Sequence, residues 1–282
     1  GKGLETAVKY LMPALFVLLV LLVFWAAIGS GHFVEGLSFL FAFKTDQFSG
    51  ESMLIAMGQA FFTLSLGMGA IMAYGAYLPK GASIVNSAVI IAVLDTAVAL
   101  LSGMVIFPIV FAHGLEPSAG PGLMFITLPI AFGQMAGGQM FGTLFFLLVS
   151  FAAITSAISI GEPAVAWLVE KVKVSRVTGA IIVGGLAWLL GLGSAFSFNV
   201  WSDVTLLPGR SFFDTMDFVS NNVILPIGGI LIGLFAGWFL DQKILAEQLE
   251  GTPKIVIKLL RLLMRLIAPV CIFVVFVMTF LG

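Results

Sequence analysis

The chain has 282 residues, of which 60% are hydrophobic and 10% charged, with a formal charge of −1. A soluble domain carries roughly 25% charged residues, so this composition excludes a conventional soluble enzyme, a disordered protein and a nucleic-acid binder. With a mean hydropathy of +1.16, the solvent that fits the chain is a lipid bilayer.

Apolar stretches recur at membrane length, and they predict an all-α membrane protein with seven spans. These lie at about residues 8–28, 53–78, 84–112, 138–170, 176–196, 212–240 and 255–281. Each has room for the roughly 20 residues that cross a bilayer core. The first run, from Tyr10 to Ile28, follows Lys2, Glu5 and Lys9. It exceeds the roughly 7–15 residues of a signal-peptide core and reads as a spanning helix. The first residue is glycine, which suggests a piece of something longer.

The second run contains Thr63-Leu-Ser-Leu-Gly-Met-Gly69. Two glycines two apart, with hydroxyls just before them, predict a broken helix. In lipid such a break survives only where the freed backbone lines a protein-buried cavity. Close packing through small residues is the alternative. Segment 113–137, punctuated by Pro117, Pro121 and Pro129, reads as a re-entrant or lid element rather than a span. Eleven of the thirteen Lys and Arg fall at the N-terminus and around 79–83, 171–175 and 241–265, leaving Lys44 and Arg210 on the other side. By the positive-inside rule the N-terminus is cytoplasmic.

Ionisable groups within the spans are few, and at membrane depth they tend to be functional. Asp95 lies among Ile90, Ile91, Val93 and Leu94; Glu162 precedes Pro163; Asp217 is near the outer end of its span. A carboxylate in hydrocarbon protonates, pairs or binds a cation. Ala152, Thr155 and Ser156 offer a carbonyl and two hydroxyls on one helical face. Neutral oxygens suit a hard monovalent cation, but spacing alone favours back-bonding of the hydroxyls to carbonyls one turn earlier. Gln59 and Thr63, one turn apart, approach the break. His32 and His113 sit at span ends without metal-ligand spacing, and the single cysteine, Cys271, builds no disulfide. Protease, hydrolase and phosphate-loop motifs do not occur, so the chain is not read as an enzyme.

Several of these segments together resemble one family. Gly58-Gln-Ala-Phe-Phe-Thr-Leu-Ser-Leu-Gly-Met-Gly69 resembles the unwound sixth helix of neurotransmitter:sodium symporters. Phe151-Ala-Ala-Ile-Thr-Ser156 resembles the eighth, Phe213-Asp-Thr-Met-Asp217 the start of the tenth, and Phe125-Ile-Thr-Leu-Pro129 part of the fourth extracellular loop. The likeness is greatest to the bacterial amino-acid transporters and covers helices five to eleven. It implies one transmembrane domain over residues 1–282, a partial inverted-repeat fold with helices one to four supplied by the same or another chain.

The resemblance also implies roles. Phe62, Thr63, Ser65, Met68, Ser156 and Ile160 match substrate-pocket positions. Thr63 and Asp95 match side-chain ligands of the first sodium ion. Ala152 (through its carbonyl), Thr155 and Ser156 match those of the second. Phe62 matches the aromatic lid and Asp217 the acid of the outer gate. Asp95 stands where many members have Asn, and Ala99 where some have an acid or a chloride-binding serine, which implies chloride independence. The expected function is part of a sodium-coupled symporter for neutral or hydrophobic amino acids in a bacterial plasma membrane. A non-transporting accessory fragment and a seven-span receptor are the alternatives.

Overall fold

The computed structural model describes residues 2–281, apart from Asp46, Gln47, Tyr77, Lys80, Glu116, Ser118, Ala119, Met135 and Ala136. Lys80, one of the cations counted above, thus lies outside the described residues. Helices dominate: α1 (Lys2–Gly29), α2 (Phe33–Phe41), α3 (Gly50–Thr63), α4 (Ala70–Gly75), α5 (Ile84–Ala112), α6 (residues 120–134), α7 (Gly138–Val172) and α8 (Arg176–Phe196). A short antiparallel ribbon, β1 (Thr205–Leu207) and β2 (Arg210–Ser211), precedes α9 (Phe212–Phe239), α10 (Gln242–Gln248) and α11 (residues 254–281).

Six helices among the described residues are long and apolar enough to cross a membrane: the Met12–Gly29 part of α1, then α5, α7, α8, α9 and α11. The predicted second span is the exception. It forms two pieces, α3 and α4, separated by residues 64–69, as the glycine spacing requires. Many apolar side chains point outward, such as Val93 at 60%, Ile181 at 68% and Trp188 at 64% exposure. In water that surface would be unfavourable; in hydrocarbon it is the solvated face. Three predicted connections carry structure that composition did not reveal: α2 within 29–52, the ribbon within 197–211, and α10 within 241–254. The ribbon is a small departure from an all-α chain. Segment 113–137 is chiefly the helix α6, shorter than a span.

Prolines shape three helices in one way. Leu128, Leu225 and Ala268 each precede a proline directly and donate their N–H five residues back, to Leu123, Ser220 and Leu263. A proline lacks an N–H, and its ring presses on the carbonyl four residues earlier. The turn before Pro129, Pro226 and Pro269 widens to a π turn to relieve that clash.

The chain divides into two compact units, residues 1–47 with 92–157, and residues 48–91 with 158–282. The first has a packed core of Leu19 and Leu22 from α1, Ile109 and Val110 from α5, Leu128 and Phe132 from α6, and Phe145 from α7. Helix α2 lies so close to α5 that a side chain on Gly36 would collide with the Pro108 ring. In the second unit α9 packs against α11, with Gly233 facing Pro269 and Gly237 facing Arg265. Its Phe212 ring fills the notch left by Gly193 of α8.

Candidate functional site

The break begins where the α3 hydrogen-bond ladder runs out. Leu64 N–H still donates to the Ala60 carbonyl at 3.2 Å, but Ser65 N–H turns to Phe62 at 2.9 Å and Leu66 N–H to Phe61 at 3.1 Å. Ser65, Gly67 and Gly69 then take φ of 53°, 86° and 81°. That region costs an L-residue roughly 1–2 kcal/mol. Glycine escapes the cost; Ser65 bears it, and such strain tends to gather at functional positions.

The opened chain rests on α9, backbone to backbone. A Cβ on Gly67 would overlap the Leu225 carbonyl oxygen, and one on Gly228 would lie 2.5 Å from the Gly67 oxygen. Gly229 leaves room for the Phe61 ring. On the far side of the break α4 meets α7: Gly69 faces Pro163 at 3.5 Å, and the Tyr74 hydroxyl hydrogen-bonds Ser159 Oγ. Gly228, Gly229 and Tyr74 are residues the sequence reading passed over. A paired glycine inside an apolar span was the available signal.

The predicted site residues divide between the units. In the second unit Gln59, Phe62 and Thr63 form the exposed last turn of α3, and Ser65 and Met68 lie half-buried in the break. Ile160 is exposed on α7. Asp217 is exposed on α9, and its Oδ1 accepts from Asn221 Nδ2 at 2.7 Å. A small cavity between α3, α9 and α11 is lined by Met57, Phe61, Phe62, Asn221, Leu225 and Ile272.

In the first unit Asp95 is half-buried on α5, and Ala152, Thr155 and Ser156 share α7. Thr155 is buried at 8% exposure. Its hydroxyl donates to the Phe151 carbonyl at 3.1 Å and the Ala152 carbonyl at 2.9 Å. This is the back-bonding that helical spacing favours. It also commits the single hydroxyl proton, so toward any other neighbour the oxygen acts as an acceptor. His32 Nδ1 and His113 Nδ1 lie 3.1 Å and 2.8 Å from the backbone carbonyls of Ser30 and Ile109. Among the described residues no cluster of three His, Cys, Asp or Glu is placed to hold a metal.

Glu162 has a partner the sequence reading did not assign. Arg176 Nη2 lies 2.7 Å from both carboxylate oxygens, across the turn joining α7 to α8. Fourteen residues separate the two, the spacing of facing positions on helices joined by a tight turn. The Arg176 side chain is 61% exposed and that of Glu162 18% exposed. Solvent screening therefore holds the worth of the pair to about 1 kcal/mol. Glu162→Gln is expected to lower stability by that amount, read as a small fall in the thermal melting point of the purified protein. An unchanged melting point would show that the pair contributes nothing.

The model of the sodium:neurotransmitter symporter family matches residues 1–282. The chain belongs to that family. It is 38% identical to an uncharacterized sodium-dependent transporter, YhdH, of Bacillus subtilis, over 98% of this chain and 61% of YhdH. An uncharacterized sodium-dependent transporter of Haemophilus influenzae is 33% identical over 98% of this chain and 60% of that protein. The crystal structure of MhsT in complex with L-phenylalanine superposes with a TM-score of 0.86 at 43% identity, covering 95% of this chain and 61% of MhsT. The chain thus spans about three fifths of the length of each of these relatives. As a member of this family it is a multi-pass membrane protein, not an enzyme.

Proposed function

We propose that the complete protein is a sodium-coupled symporter of neutral, apolar amino acids, working by alternating access in a bacterial plasma membrane. The N-terminus of this chain is cytoplasmic, and the family's first four helices come from the same or another polypeptide. The observation that carries the reading is the opened helix at residues 64–69, held by left-handed residues and seated on Gly228. Secondary transporters hold ions and charged substrate groups at such breaks, where backbone dipoles are released from the helix ladder.

Phe62, Thr63, Ser65, Met68, Ser156 and Ile160 contact the substrate, with Gln59 adding an amide at the same level. The flexible Met68 accepts varied apolar side chains. Thr63 and Asp95 are side-chain ligands of one sodium ion; Thr155, Ser156 and the Ala152 carbonyl are ligands of the other. All are oxygens, the donor set that suits a hard monovalent cation. Phe62 and Asp217 close the outer path. Support for the substrate class comes from MhsT, whose crystal structure contains L-phenylalanine.

The test is uptake of labelled L-phenylalanine by the full natural protein in proteoliposomes. An inward sodium gradient is expected to drive accumulation that a potassium gradient does not. Equal uptake under both gradients would overturn the proposal. Chloride replacement by gluconate is expected to leave uptake unchanged, because the fixed carboxylate of Asp95 balances the sodium charge. Asp95→Asn is expected to raise the sodium requirement at least several-fold or to make uptake depend on chloride. If neither changes, Asp95 is not the balancing charge.

A further inference from the structure

We propose that the stripe Lys254, Lys258 and Arg261 on α11, closed at its inner end by Arg265 and Trp238, binds the headgroup of an anionic phospholipid. Steps of four, three and four residues place the four cations on one helical face. The remaining residues of this stretch are apolar, and they fall into two sectors. Ile255, Leu259, Leu262 and Leu266 are exposed, at 73%, 54%, 49% and 56%. Val256, Ile257, Leu260, Leu263 and Met264 are half-buried. The first sector is open at the surface and the second packs inward, so the basic stripe borders an exposed apolar face along its whole length.

The inner end of the stripe is anchored. Pro269 has no N–H to offer the carbonyl of Arg265, and that carbonyl accepts from Trp238 Nε1 at 3.1 Å instead. Arg265 Nε donates to the Gly237 carbonyl at the C-terminal end of α9, and the guanidinium lies 5.0 Å from the Trp238 ring centre. Arg265 is therefore occupied by protein. Arg261, Lys258 and Lys254 are not: among the described residues the one ion pair is Arg176–Glu162. The carboxylates nearest in sequence, Asp241, Glu247 and Glu250, make none with them.

From Lys254 to Arg265 the helix rises about 16 Å, whereas one headgroup layer is about 5–7 Å thick. Lys254 and Lys258 are exposed and Arg261 is half-buried, and a cation placed further along a spanning helix meets less water. There the acceptors at hand are the phosphate oxygens of a lipid. A guanidinium fork takes two of them at once, the lysines add point charges favouring a net negative lipid, and the exposed Trp238 and Phe239 supply an interfacial aromatic wall.

The experiment is electron spin resonance of the full natural protein in phosphatidylcholine vesicles, with chain-labelled phosphatidylglycerol or phosphatidylcholine as the probe. The motionally restricted fraction is expected to favour phosphatidylglycerol, and Lys258→Gln with Arg261→Gln to reduce the preference about fivefold for each cation removed. Lys243→Gln, on α10, is expected to leave it unchanged. Lys254→Gln with Lys258→Gln alters exposed positions alone and keeps the test readable if the Arg261 variant does not fold. Equal restriction of the two lipids, or a preference that survives both double substitutions, overturns the proposal. So does full displacement by 20 mM inorganic phosphate, which would assign the stripe to a soluble anion.

Discussion

Gly67→Ala is expected to lower the stability of the purified protein by about 2–5 kcal/mol, the sum of a left-handed alanine and an overpacked contact. Two features of the break produce this. The φ of 86° at Gly67 is one that alanine adopts with strain. The added methyl would also overlap the Leu225 carbonyl oxygen, which is backbone and cannot turn aside. Relief requires lifting residues 64–69 off α9, and that removes the reciprocal contact in which the Gly67 oxygen lies against Gly228. Gly184→Ala is the matched control: it sits in α8 with open space around a would-be Cβ. There alanine gains helix propensity, and stability should hold or rise by about 0.5–1 kcal/mol. Thermal unfolding in one detergent decides it. Equal melting points for Gly67→Ala and the parent would mean that the break does not rest on α9.

Thr155→Val is expected to raise the sodium concentration needed for half-maximal uptake by about 10–100-fold, the worth of one oxygen interaction with a charge of about 1.5–3 kcal/mol. Valine keeps the volume and branching of threonine, so the packing of this buried position is preserved. What is lost is the oxygen. The hydroxyl donates to the Phe151 and Ala152 carbonyls, so two roles are open to it. If back-bonding is its whole purpose, valine merely releases two helix carbonyls, and the sodium dependence of uptake stays put. If the oxygen also receives a cation, the sodium requirement moves while the amino-acid KM, measured at saturating sodium, moves little. The two outcomes separate a helix-stabilising hydroxyl from an ion ligand, which spacing cannot do.

How far these features were readable varies from residue to residue. The long apolar helices were legible because hydrocarbon tolerates so little else, and α5, α7, α8, α9 and α11 lie close to their predicted limits. The break was legible because Gly67 and Gly69 are poor helix formers lying two apart. Its support was not. Gly228 and Gly229 look like ordinary small residues of an apolar span until the opened chain is laid against them. The partner of Glu162 was hidden for another reason: Arg176 belongs to the next helix, and which side chains meet across a turn depends on how two helices rotate about their axes. Likewise, α2 and α10 lie in connections whose composition reads as loop.

Sequence alone determined the solvent of this protein, the lengths of its helices, the position of its break and its family. Each of these follows from residue type and order, since burial in lipid and backbone propensity act locally along the chain. Tertiary structure decided what the break leans on and which carboxylate finds an arginine. Those outcomes depend on close approaches between separate helices, where a single methyl group decides whether two backbones meet.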